Sequence, residues 1–159
     1  MTDQLPGRRI YLDSNAFIYA IEGASDSSSQ LHSLFEALRR RAEPAYTSGF
    51  TLAEVLPKAN VIQRRSYLTL ILHSGFFNLL PVTRDILIET ADYRRNLAGP
   101  SFEVRGAMPK LPDAIHIVTA VQAGCTTFVS SDRNLKLPLG MARVGHEDGT
   151  LLKLVQDVS

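Results

Sequence analysis

The chain has 159 residues, 45% of them hydrophobic, which is enough for one domain with a buried core and too little for two ordinary ones. With 17 basic and 16 acidic side chains, a net charge of +1 argues against a general nucleic-acid-coating protein. No apolar run approaches the roughly 20 residues of a membrane span, Met1–Arg9 lacks the apolar segment of a signal peptide, and the lone Cys125 leaves no internal disulfide, so a cytoplasmic protein with no membrane contact is expected.

Short apolar runs alternate with helical patterns, the signature of an α/β domain with a mainly parallel sheet. Arg9–Leu12 is the first strand candidate and ends at Asp13. A short helix through Phe17, Ile18 and Ile21 follows, closed by Gly23. Polar Ser25–Ser29 leads into a helix with Leu31, Leu34, Phe35 and Leu38 on one face. Pro44 ends it, and Ala45–Thr47 reads as a second, short strand. The next helical stretch begins near Ser48 or Thr51 and carries Glu54, Val55 and Leu56; another runs from about Arg64 to His73. Phe76–Val82 is a third strand candidate, with Thr83 as cap for a helix reaching Leu97. Gly99-Pro100 breaks that helix and opens a loop through Gly106 and Pro109. A strongly patterned helix runs from Pro112-Asp113 to Ala123, with Gly124 as its stop. Thr126–Ser130 is the next strand, leading to Asp132, Met141–Val144 a last one, and Leu151–Val155 a short terminal element.

Four acids stand out by position. Each fits a local role: Asp13 and Asp113 at helix starts, Glu54 three residues after Thr51 as in a capping box, Asp132 in a turn. In a parallel sheet, however, strand C-termini and the N-termini of the following helices share one edge, where ligands usually bind. Asp13, Glu54, Asp113 and Asp132 are all delivered to that edge. Crowded carboxylates repel unless a cation joins them. With His32, His73, His116 and His146 scattered and no zinc spacing to Cys125, all-oxygen ligation favours Mg²⁺ or Mn²⁺. Such an ion activates water and neutralises a phosphate, which is phosphodiester chemistry. Withdrawing four acids into one pocket also leaves the remainder of the chain basic, with clusters at Arg39–Arg41, Arg64–Arg65 and Arg94–Arg95.

The segments Ile10-Tyr11-Leu12-Asp13-Ser14-Asn15, Leu52-Ala53-Glu54-Val55-Leu56, Leu111-Pro112-Asp113-Ala114-Ile115-His116 and Phe128-Val129-Ser130-Ser131-Asp132 resemble the PIN domain in type, order and approximate spacing. The likeness spans about Arg9 to Val144 and is greatest to VapC-like ribonuclease toxins of toxin–antitoxin pairs. It implies a PIN-like three-layer α/β fold, a central, mainly parallel sheet flanked by helices, as a single domain over residues 1–159. The core would be about 9–144, with 145–159 as a C-terminal extension. It further implies Mg²⁺- or Mn²⁺-dependent endoribonuclease activity on RNA, a homodimer and an antitoxin partner. Carried over, Asp13, Asp113 and Asp132 are the metal ligands, Glu54 completes the pocket, Asn15 orients Asp13 through its amide, and the Ser130 hydroxyl steadies the site. Ser130 replaces a frequent Thr and Leu135 a common aromatic, while the Gly99–Lys110 loop and the tail after Val144 are long for the smallest toxins.

His116, three residues beyond Asp113, either approaches the pocket or is a buried, hydrogen-bonded structural histidine. Cys125 reads as a core residue. Haloacid-dehalogenase-type phosphotransfer uses a second Asp two residues after the first, where this chain has Asn15. The remaining alternatives are a PIN-like RNA-binding or scaffold module with little catalysis, and a stand-alone RNA-processing nuclease.

Overall fold

The computed structural model describes residues 8–23, 26–98 and 108–159. Five strands form one parallel sheet in the order β3-β2-β1-β4-β5: β1 (Ile10–Leu12), β2 (Ala45–Ser48), β3 (Phe77–Leu80), β4 (Thr127–Val129) and β5 (Ala142–Val144). β1 is central, pairing Tyr11 with Tyr46 on one side and with Phe128 on the other. The order reverses between β1 and β4, the kind of switch point where open parallel sheets leave a crevice.

Alternation along the strands builds two cores. Ile10, Leu12, Ala45, Val129 and Val144 face one side, where α1 (Ser14–Glu22), α2 (Asp26–Arg40) and α4 (Val61–Leu68) cover them. Tyr11, Tyr46 and Phe128 face the other, with Ile117 and Ala120 of α6 (Leu111–Gln122) against them. α5 (Arg84–Ala98) packs on α6 in that outer layer. Helices therefore lie on both faces, which is the expected three-layer α/β arrangement.

Most boundaries follow local chemistry. Thr83 caps α5, its hydroxyl accepting from Ile86 N–H at 3.1 Å. Gly124 ends α6 at φ +74°, a conformation only glycine adopts without cost. Gly23 closes α1 with extended rather than left-handed backbone, donating its N–H to Tyr19 O at 3.0 Å. Several expectations need correction. The helix read from Arg64 begins earlier, at Val61, behind a capping box of Asn60 and Gln63, and ends in a π-helical turn, Thr69–His73. α3 (Phe50–Val55) has no side-chain cap; Thr51 is fully buried, with its hydroxyl 2.8 Å from that of Thr47. The tail read as an extension supplies α7 (Thr150–Val158), which lies against α2 and buries Leu151 and Leu154 in the first core. The loop read over Gly99–Lys110 falls, up to residue 107, outside the described residues. Among the described residues no helix is long and apolar enough to cross a membrane.

Candidate active site

Four chain segments bring the acids to the C-terminal edge of the sheet. Asp13 leaves β1 and caps α1: its Oδ1 accepts from Ala16 N–H at 3.1 Å, while its own N–H donates to Val129 O of β4 at 3.3 Å. The side chain thus stands at the switch point itself. Ser130, directly after β4, is buried and bridges two acids, donating to the Asp13 carboxylate and accepting from Asp132 N–H at 3.2 Å. Asp132 shapes the turn beyond, accepting from Asn134 N–H at 2.9 Å. Arg143 of β5 donates to Ser130 O at 2.8 Å, and Gly145 leaves room for that guanidinium, which a Cβ would meet. Asp113 lies in the first turn of α6 behind Pro112, and Glu54 in α3.

The electrostatics are those of a place short of positive charge. Burial pushes the Asp13 carboxyl up to about 6, against hydrogen bonds from Ser130 and Ala16 and the nearby His116 that pull it down; Asp113 adds a further push upward. Asp113 is also raised, by burial first and then by Asp132, with Lys110 opposing and Glu54 adding to the rise. Glu54 goes the other way: burial alone would raise it, but hydrogen bonds from His116 and Ser14 together outweigh that and hold it below its ordinary value.

The four acids share one field, yet they do not form a closed cage. Among the described residues no three His, Cys, Asp or Glu side chains stand close enough to enclose a metal ion as they are. Asp113 and Asp132 line a cleft of about 430 Å³ with Lys110, Asn134 and Lys136, while Glu54 is held aside by Ser14 and His116. This open, all-oxygen set suits Mg²⁺ or Mn²⁺. Mg²⁺ keeps several waters and commonly takes one or two carboxylates rather than a complete protein shell. The buried, uncompensated Asp13 carboxylate is what a cation would relieve.

Asn15 is exposed and makes no hydrogen bond to Asp13, whose carboxylate is held by Ala16 and Ser130 instead. Of the arginine clusters, Arg39 lies over the Phe76 ring, Arg41 binds Arg8 O, and Arg94 donates to the carbonyl of Pro109, which lines the cleft. Lys110 and Lys136 stand beside the carboxylates, and sequence reasoning missed both because isolated lysines carry no pattern. It also missed Ser14, whose hydroxyl donates to Glu54 Oε1 at 2.5 Å.

The PIN domain family model matches residues 10–137. No curated protein gives a significant match. Among solved structures, VapBC2 of Rickettsia felis, bound to a DNA fragment from its promoter, aligns with a TM-score of 0.63 at 18% identity, covering 86% of this chain and 97% of that one. VapC20 of Mycobacterium tuberculosis, a sarcin-ricin loop cleaving toxin, aligns at 0.59 and 12% identity, covering 79% and 91%. A toxin–antitoxin complex from Klebsiella pneumoniae aligns at 0.58 and 20% identity, covering 84% and 95%. At these identities the likeness is one of fold.

Proposed function

The chain belongs to the PIN domain family, and from that premise we propose that it is a divalent-metal-dependent endoribonuclease, the toxin of a toxin–antitoxin pair. The observation that carries the reading is the delivery of Asp13, Glu54, Asp113 and Asp132 from separate segments to the crevice between β1 and β4, with Asp13 buried and held at about 6. Asp13, Asp113 and Asp132 would hold Mg²⁺ or Mn²⁺, with Glu54 completing the set. When bound, such an ion neutralises phosphate charge and acidifies water. The protein's own share is positional. Ser130 keeps Asp13 and Asp132 in register, and Lys110 and Lys136, which line the cleft with the half-buried Asp113 and Asp132, offer charge to the RNA backbone.

Solved structures of similar fold include toxin–antitoxin complexes, which supports an antitoxin for this chain; an arginine from it could answer the carboxylates in place of metal. Leu31, Leu34, Phe35 and Leu38 of α2 are buried in the core and offer a partner no groove, whereas Leu72 is exposed. The reading takes the protein as one domain acting in the cytoplasm. It also takes it as a homodimer, to which exposed Leu87 and Ile88 on α5 and Val121 on α6 lend support.

The test is cleavage of labelled single-stranded RNA by purified, metal-stripped protein. Cleavage is expected on adding Mg²⁺ or Mn²⁺ and is expected to stop in excess chelator; unchanged cleavage in chelator overturns the mechanism. Co-expression with the neighbouring reading frame tests the partner. Unharmed cells without it, and no binding to it, would leave a stand-alone RNA-processing nuclease.

A further inference from the structure

Behind Glu54 lies a chain of polar groups, Tyr11, His116 and Ser14, to which the proposed reaction gives no part. Tyr11, fully buried in β1, has its hydroxyl 2.6 Å from His116 Nδ1. Across the ring, His116 Nε2 is 2.6 Å from Glu54 Oε1. Ser14 Oγ is 2.5 Å from that same oxygen and 3.1 Å from Nε2. The imidazole is buried, and the rings of Tyr11 and Phe50 meet it edge-on, so it has little freedom to turn.

The directions of these bonds follow from the groups. An ionised carboxylate only accepts, so the proton between His116 and Glu54 sits on Nε2. At the other end of the ring the Tyr11 hydroxyl, which can donate or accept, meets Nδ1 and holds the imidazole in place. Glu54 Oε1 therefore takes two short bonds, from Nε2–H and from Ser14, and Oε2 is left without a protein hydrogen bond among the described residues. We infer that His116 is a positioning residue: held by Tyr11 at Nδ1, it clamps Glu54 through Nε2–H to Oε1 and leaves Oε2 as the free oxygen of that carboxylate. This rests on the ribonuclease reading only in taking Glu54 as part of the site. Partners that fix the orientation of a group at a metal site commonly matter by roughly ten- to a hundred-fold.

Two measurements on the full chain test it. In metal-free, ¹⁵N-labelled protein, long-range ¹H–¹⁵N spectra should show His116 protonated at Nε2, with that proton slow to exchange, and Tyr11→Phe should speed its exchange. In Mn²⁺-supported RNA cleavage, His116→Leu should lower kcat roughly ten- to a hundred-fold with little change in KM. His116→Gln, which keeps an N–H near the place of Nε2, should restore most of the loss. In a Glu54→Ala background, His116→Leu should cost nothing more. A wild-type ring bare at Nε2 overturns the inference, as do His116 and Glu54 losses that simply multiply. If the wild-type protein cuts no RNA, the ribonuclease reading falls, and the tautomer spectra still decide this one.

Discussion

Asp13 carries two roles that pull against each other. Its carboxylate caps α1, yet burial holds the group at about 6 against an ordinary 3.8. Between those values the unfolded chain has already released a proton that the folded chain keeps. Stability therefore falls as pH rises from about 4 to about 6, and the deficit persists above that. Asp13→Asn keeps an oxygen to accept from Ala16 N–H and removes the charge. Without metal, it should be more stable than wild type at pH 8 by up to about 3 kcal/mol, and no more stable near pH 4. Urea unfolding at both pH values checks this. Mg²⁺ should raise the wild-type Tm and leave that of Asp13→Asn nearly unmoved. The sequence showed Asp13 as either a cap or a ligand, when one carboxylate can be placed for both. It likewise left His116 as either buried or near the pocket, and the residue is both. Such conjunctions depend on neighbours far along the chain, Tyr11 and Glu54 for His116, and no local pattern reports them.

The elements with strong periodicity were legible, and those whose ends depend on tertiary partners were not. α5 and α6 begin and end close to where Thr83, Pro112 and Gly124 put them. At α3 the Thr51–Glu54 spacing suggested a capping box, whereas the box that forms, Asn60 with Gln63 at α4, was not read from the sequence. Thr51 instead turns its hydroxyl to Thr47, which itself donates to Leu12 O at 2.9 Å, and Glu54 is drawn to Ser14 and His116. The reciprocal box forms at Asn60, where Asn60 Oδ1 accepts from Gln63 N–H at 2.8 Å and Gln63 Oε1 from Asn60 N–H at 3.0 Å. Asn60→Ala should therefore cost about 1 kcal/mol in unfolding free energy and leave RNA cleavage intact. A cost near zero in denaturant titration would mean that this cap adds nothing to α4.

At the scale of the molecule, the alternation of strands and helices sufficed for an α/β domain with a mainly parallel sheet and for the edge that gathers the acids, while the three-layer arrangement was implied by the family resemblance. Strand order was out of reach, because pairing β1 with β4 requires knowing which distant apolar run meets Ile10–Leu12. The role of the tail was hidden for a related reason: α7 is amphipathic in sequence, but only packing against α2 shows that its apolar side completes the first core. Leu154→Ala should destabilise the whole domain by about 2–5 kcal/mol, seen as a single cooperative shift in thermal unfolding. A small loss confined to helix fraying would mean that α7 is an appendage.

The central place of β1 also governs when the site can assemble during synthesis. During synthesis Asp13 emerges from the ribosome early, but its strand must wait for Thr127–Val129 before the β1–β4 side of the sheet can pair, and Ser130 and Asp132 come later still. Pairings between such distant segments form slowly and late, after the intervening chain has been closed into a loop. A nascent chain stopped anywhere before β4 holds Asp13, Glu54 and even Asp113 without the crevice that brings them together. If the proposed RNA cleavage holds, this topology acts as a timer that withholds activity until β4 and Asp132 have left the ribosome.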